Sequence, residues 1–162
     1  MKKKEIIDRI LEGWLAKAKI INDFCKAENL RPYATKDDIK DLMEALEELP
    51  YRKVKAIYLH LRSLVKTVEV EPYNKSKLSF GFEGCPFCLL RRHNPKNPAD
   101  DPICAGCPYG RRHGICPEDD SDFNLIYERL EKRRRKREVM ERILEAWIGA
   151  LKVKNFKRRS GS

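Results

Sequence analysis

Apolar residues recur at steps of three and four over three successive stretches of the chain. Ile7, Leu11, Trp14, Ala18, Ile21 and Cys25 form the first stripe, between Glu5 and about Lys26. Such spacing gathers the apolar side chains on one face of a helix, so it predicts an amphipathic helix with Cys25 on its inner side. Arg31-Pro32 breaks it, because the residue before a proline is pushed out of the helical region. Thr35 with Asp38 three residues on reads as a capping box, and Ile39, Leu42, Met43, Leu46 and Leu49 carry a second stripe as far as Pro50. Val54, Ile57, Tyr58, Leu61, Leu64, Val65 and Val68 carry a third, closed by Pro72.

The helical period then disappears. Residues 73–118 concentrate glycine, proline and cysteine, and only Leu78 to Phe82 alternates briefly, as a short strand would. After Cys116-Pro117 the acidic run Glu118 to Asp122 suits the positive end of a helix, with Ser121 as its cap. A long helix is expected from about Asp122 to about Val153. Its stripe of Phe123, Ile126, Tyr127 and Leu130 resumes at Met140, Ile143, Leu144, Trp147 and Leu151. Between them Lys132-Arg133-Arg134-Arg135-Lys136-Arg137 is basic around the whole circumference, so the helix is expected to leave the core for roughly two turns. The chain thus reads as mainly α: a helical bundle with an inserted zinc-ribbon-like cysteine module and a long C-terminal helix. Residues 1–72 make a three-helix segment, 73–118 the module, and 119–159 a long basic helix packing back on the first helices; 160–162 (Ser-Gly-Ser) read as an added tail.

The first and last helices are alike. Residues 5–20, EIIDRILEGWLAKAKI, and 138–153, EVMERILEAWIGALKV, share seven of sixteen positions without a gap. Two amphipathic helices of similar composition can converge this far by chance. Alternatively, the pair packs with pseudo-symmetry, or Trp14 and Trp147 present one kind of face to a protein partner.

Six cysteines change the picture of the middle segment. Cys85-Pro86-Phe87-Cys88 and Cys104-Ala105-Gly106-Cys107 are two C-x-x-C pairs enclosing fifteen residues. Each pair can chelate one ion across a tight turn, and two pairs make the tetrahedral sulfur set that zinc accepts. Four thiolates leave no open position for water, which makes the site structural. Cys116 is a fifth candidate that could replace one of the four, and five thiols also fit an iron–sulfur cluster. A redox-active C-x-x-C is less favoured, because neither pair opens an obvious helix within a βαβ pattern. His93 and His113 sit in basic triplets and are expected to face solvent; Cys25 is expected to be an inert core residue. The usual knuckle glycine is missing, since Leu89 and Pro108 follow the second cysteines.

Cys85-Pro86-Phe87-Cys88, Cys104-Ala105-Gly106-Cys107-Pro108 and Gly114-Ile115-Cys116-Pro117 together resemble a segment of small phage-encoded proteins of uncharacterised function. The resemblance covers about residues 84–117. It implies a metal module that includes Cys116 and a mobile-element context, and no activity.

Charge narrows the function classes. The chain has 35 Lys+Arg against 25 Asp+Glu, a net charge of +10. The first fifty residues are near neutral, and the surplus belongs to everything after them. Arg91-Arg92-His93 and Arg111-Arg112-His113 follow the two cysteine pairs. Arginine forks match phosphate oxygens, so Arg91, Arg92, Arg111, Arg112 and the six cations Lys132 to Arg137 are candidate nucleic-acid contacts. Phosphate contacts give affinity without choosing DNA or RNA. Absence of glutamine and enrichment in charge resemble a thermophile's composition. No apolar run approaches bilayer length, and no signal peptide is apparent, so a cytoplasmic protein with no membrane partner is expected. No glycine-rich phosphate loop, H-E-x-x-H or G-x-S-x-G is present. The leading expectation is a non-enzymatic, zinc-stabilised nucleic-acid-binding protein of accessory or regulatory type. A protein-binding adaptor or inhibitor using the two Trp helices, and an iron–sulfur protein with a redox or sensing role, are the alternatives.

Overall fold

The computed structural model describes residues 1–67, 84–93, 107–116 and 118–153, with Arg92 and His93 described by backbone alone. Seven helices are found among them: α1 (Lys3–Ala27), α2 (Lys36–Glu48), α3 (Tyr51–Thr67), α4 (Pro86–His93), α5 (Pro108–His113), α6 (Asp122–Lys132) and α7 (Lys136–Leu151). No helix among the described residues is long and apolar enough to cross a membrane.

The three N-terminal helices lie where their stripes place them. α1 buries Ile6, Ile7, Ile10, Trp14, Ala18, Ile21, Phe24 and Cys25. It ends in a left-handed residue, Asn29 (φ 56°), and the Leu30 N–H returns to the Cys25 carbonyl at 2.9 Å, satisfying a carbonyl left open by the helix end. α2 opens with the capping box, Thr35 and Asp38 each taking the other's backbone N–H. Leu42, Leu46 and Leu49 are buried as the spacing predicts, whereas Met43 is exposed. Val54, Ile57, Tyr58, Leu61, Leu64 and Val65 of α3 are all buried, while Val68 lies outside the described residues.

α1 packs most extensively on α7, the helix it resembles, and α3 lies against both. The Trp147 ring lies over Gly13, where an added Cβ would come within 2.7 Å of Cε3. Tyr58 donates to the Leu151 carbonyl at 3.1 Å and accepts from Arg9 Nη1 at 3.0 Å, tying the three helices at one end.

The C-terminal segment corrects the expectation of one long helix. α6 stops at Lys132 and α7 starts at Lys136. Between them Arg134 is left-handed (φ 53°), with Arg135 N–H on the Leu130 carbonyl at 3.1 Å and Arg134 N–H on that of Glu131 at 3.2 Å. The reason is phase. Projected at about 100° per residue, the stripe through Ile126 and Leu130 misses the stripe through Ile143 and Trp147 by roughly a third of a turn. An elbow lets both face the core: Ile126, Leu130, Val139, Met140, Ile143, Leu144 and Trp147 are all buried.

The described parts of the cysteine segment are the two short helices, α4 resting on α2 and α3, and α5 on α2. Phe87, Leu89, Leu90 and Tyr109 belong to the same buried cluster as Trp14 and Leu42. The expected strand at 78–82 and the rest of a ribbon fall outside the described residues.

Candidate functional site

The two described cysteine helices open alike. Cys85-Pro86-Phe87 starts α4 and Cys107-Pro108-Tyr109 starts α5, with proline in the first helical turn, where its missing N–H costs nothing. Helix starts therefore lie at Cys85 and Cys107, with no β-strand beside them among the described residues. The Leu89 N–H closes on the Cys85 carbonyl at 3.1 Å and the Arg111 N–H on that of Cys107 at 3.1 Å. Phe87 and Tyr109 pack with ring centroids 5.6 Å apart, and Trp14 meets Phe87 edge-on at 5.6 Å. Tyr33 joins this aromatic wall from the α1–α2 loop, its carbonyl accepting from the Tyr109 hydroxyl at 2.6 Å.

Cys116 reaches the wall through a turn. Gly114 has φ 85°, and a Cβ there would approach Ser121 Cα to 3.1 Å, so the position requires glycine. Ser121 fastens the turn from the other side: its hydroxyl donates to the Cys116 carbonyl at 2.9 Å and accepts from the Asn124 N–H at 3.1 Å, capping α6.

Facing these thiols is a residue that the apolar pattern passed over. Lys17 stands three residues after Trp14 on the inner face of α1 and is only 1% exposed. Its Nζ lies 5.7 Å from the centre of the Tyr33 ring. Burial brings its pKa down to about 8, against the opposing pull of Cys85, Cys116 and Cys88. The Cys85 thiol is brought down to about 6 by its hydrogen bond with Cys88, then by the Lys17 charge and by the backbone N–H groups of Cys88 and Phe87, which together outweigh burial. The same thiols act on Tyr33, whose hydroxyl is pushed well up by burial and then by Cys85 and Cys116. Cys85, Cys88 and Cys116 thus share one environment around Lys17 and Tyr33. Cys107 is buried nearby at the start of α5, and Cys104 lies outside the described residues. Among the described residues alone, no three His, Cys, Asp or Glu side chains stand close enough to hold a metal. The donor chemistry nevertheless suits a thiophilic cation: soft sulfur ligands, the Cys85 thiol drawn below its ordinary pKa, in a wall of apolar rings. Cys25 stands apart, its thiol raised to about 11, chiefly by burial, which leaves it inert.

A second buried centre adjoins the first. His113 was expected at the surface but is 5% exposed, stacked on Tyr109 at 4.1 Å. Nε2 meets Asp38 Oδ2 at 2.7 Å and Nδ1 meets Asp122 Oδ2 at 2.8 Å. Burial alone would lower its pKa, but the hydrogen bonds to Asp38 and Asp122 prevail and raise it. Asp38 is fully buried; burial pushes its pKa up, and His113, the Thr35 N–H and Arg112 together bring it below the ordinary value. A cationic His113 between two carboxylates clamps the starts of α2 and α6 to the end of α5. Arg112 joins the clamp, pairing with Asp38 at 2.8 Å and with Asp41. Its guanidinium is thereby engaged within the fold.

The remaining candidates divide. Arg111 is exposed and Arg91 half-buried; nothing is described of the Arg92 side chain. At the elbow, Lys132, Arg133, Arg134, Arg135 and Arg137 are exposed and Lys136 is half-buried. Arg133 pairs with Glu28 at 3.1 Å, Lys136 with Glu131 at 2.6 Å, and Arg135 stacks over Phe24 at 5.5 Å. The contacts with Glu28 and Phe24 pin the elbow to the end of α1, and the Lys136–Glu131 pair spans the elbow itself. Among the described residues, no carboxylate pairs with Lys132 or Arg134. Trp14 and Trp147 are both wholly buried within the chain's own core, which corrects their assignment as a partner surface. No protein-family model, curated protein or solved structure matches the chain.

Proposed function

We propose that the chain is a non-enzymatic, zinc-stabilised protein that binds the phosphate backbone of nucleic acid through its basic elbow. The observation that carries this is the conformation of Arg134. The left-handed region costs a non-glycine residue about 1–2 kcal/mol, and glycine is the usual occupant of that place after a helix. An arginine there, flanked by exposed Lys132, Arg133 and Arg135, projects a cation from a turn that local energetics would give to glycine. An exposed cation held in a costly backbone conformation among other exposed cations suits a polyanionic partner. Arg111 and Arg137 add exposed charge.

Zinc is the metal proposed for the cysteine centre, held by four of Cys85, Cys88, Cys104, Cys107 and Cys116. When bound it would supply a cross-link between α4, α5 and the turn before α6. The protein's own part is to set ionised sulfur in a dry aromatic wall.

Fluorescence anisotropy with labelled duplex DNA, single-stranded DNA and RNA, across a salt series, tests the reading. Binding should weaken on a log–log plot with a slope of about −0.9 per phosphate neutralised on duplex. Absence of affinity for all three at low salt refutes it.

A further inference from the structure

We propose that Lys17 is the internal counter-cation of the metal–thiolate centre, placed in the core to offset the negative charge that the sulfur ligands carry when metal is bound. This rests on the zinc reading above. A divalent cation held by four thiolates bears a net charge of −2, and such a charge in an apolar wall is costly unless an opposite charge stands beside it. Lys17 supplies one: it is 1% exposed, its Nζ lies 5.7 Å from the centre of the Tyr33 ring, and Tyr33 packs on Tyr109, which meets Phe87 between Cys85 and Cys88.

Three observations separate this from an ordinary helix lysine. Long cationic side chains usually snorkel to water, and Lys17 does not. Its neighbours Gly13, Trp14, Ala18 and Ile21 are the buried stripe of α1, so packing alone would favour an aliphatic residue. The near-repeat shows that residue: Ala150 of α7 occupies the matching position and is buried. The two helices differ at nine of the sixteen positions, and Lys17 against Ala150 is the buried pair at which a charged side chain stands in place of an apolar one. His113, stacked on Tyr109, is already committed to Asp38 and Asp122.

A counter-cation and a packing residue respond in opposite ways to removal. In metal-free protein the thiols carry less negative charge than the metal-bound set, so the buried ammonium is offset less fully and Lys17→Met should leave the melting temperature little changed or higher. With metal bound the same substitution removes the offsetting charge, and zinc affinity should fall by about 10- to 100-fold, the range seen when groups supporting a metal site are lost. Lys17→Arg keeps the charge and should hold most of the affinity.

The experiment is zinc competition against a chromogenic chelator under anaerobic conditions for the full chain and both variants, with circular dichroism melts of each in metal-free form. A Lys17→Met protein that binds zinc as the parent does overturns the proposal and leaves the zinc reading intact. So does a metal-free Lys17→Met protein that melts well below the parent, which would mark a packing role. Equal loss of affinity in Lys17→Met and Lys17→Arg overturns it as well, because charge would then not be the operative property. A parent chain that takes up no zinc defeats the zinc reading first, and the counter-cation with it.

Discussion

Replacing His113 by leucine removes the cation between Asp38 and Asp122 while keeping an apolar body against Tyr109. Asp38 is fully buried and His113 is 5% exposed, so the loss is felt in the interior rather than at a screened surface. Removing one partner of a buried ion pair costs about 3–5 kcal/mol, because the other charge is left uncompensated. Here Arg112 and the Thr35 N–H still reach Asp38, each at 2.8 Å, which places the expected loss near the lower end, about 3 kcal/mol. For a chain of this size that lowers the melting temperature by about 6–12 °C. The effect must also depend on pH. The His113 pKa is raised above its ordinary 6.5, so its stabilisation is complete below that value and is lost as pH climbs through the elevated one. The Asp38 pKa is lowered from 3.8, so its share is complete above that value and is lost as pH falls through the depressed one. The gap between parent and His113→Leu should therefore be widest between those two ordinary values and should narrow in alkali. Urea unfolding of both proteins at pH 5.5, 7 and 9 measures it. A gap under about 1 kcal/mol at pH 5.5, far below the buried-pair range, or one that stays constant to pH 9, would refute a cationic His113.

Other outcomes follow from single contacts. Gly13→Ala gains up to about 1 kcal/mol of helix propensity but drives a methyl against the Trp147 ring; a net loss of about 1–3 kcal/mol in urea unfolding is expected. Ser121→Ala removes the α6 cap and the tie to the Cys116 carbonyl, and should cost about 1 kcal/mol or somewhat more. Arg134→Gly relieves the left-handed backbone and should raise stability by about 1 kcal/mol while weakening nucleic-acid binding, so melting and anisotropy should move in opposite directions. The double change Lys132→Ala with Arg134→Ala should reduce the magnitude of the salt slope by about 2 if each side chain holds one phosphate.

Periodicity made α1, α2 and α3 legible to within a few residues, because their stripes are unbroken and their ends carry a proline or a capping box. The same method misjudged the C-terminal segment. Two in-register stripes would have meant one helix, and the phase slip between Leu130 and Met140 was the available sign that they are out of register. Of the cysteines singled out in the sequence, Cys85, Cys88 and Cys116 act on Lys17, Cys107 is buried at the start of α5, and Cys104 lies outside the described residues. What periodicity could not provide was the interior charge. A lysine within an apolar stripe and a histidine within a basic triplet both look like surface residues until the groups opposite them are known. Lys17 did leave a trace, as the lysine that replaces alanine in an otherwise similar helix. His113 left none, since Asp38 and Asp122 meet it only after the fold brings together elements 75 and 9 residues away.

The pairing of α1 with α7 sets a schedule for the chain's birth. The first helix leaves the ribosome more than a hundred residues before its principal partner exists, and Trp14, Ile10 and Ile21 have no complete shelter in the interval. Contacts so distant in sequence close late and slow the search for the native state. A nascent chain that exposes such a stripe invites association with its neighbours. Synthesis should therefore release a collapsed but unfinished bundle that locks only when Trp147 settles over Gly13. A fragment that stops short of α7 should be recovered as aggregate, however well its own three helices form.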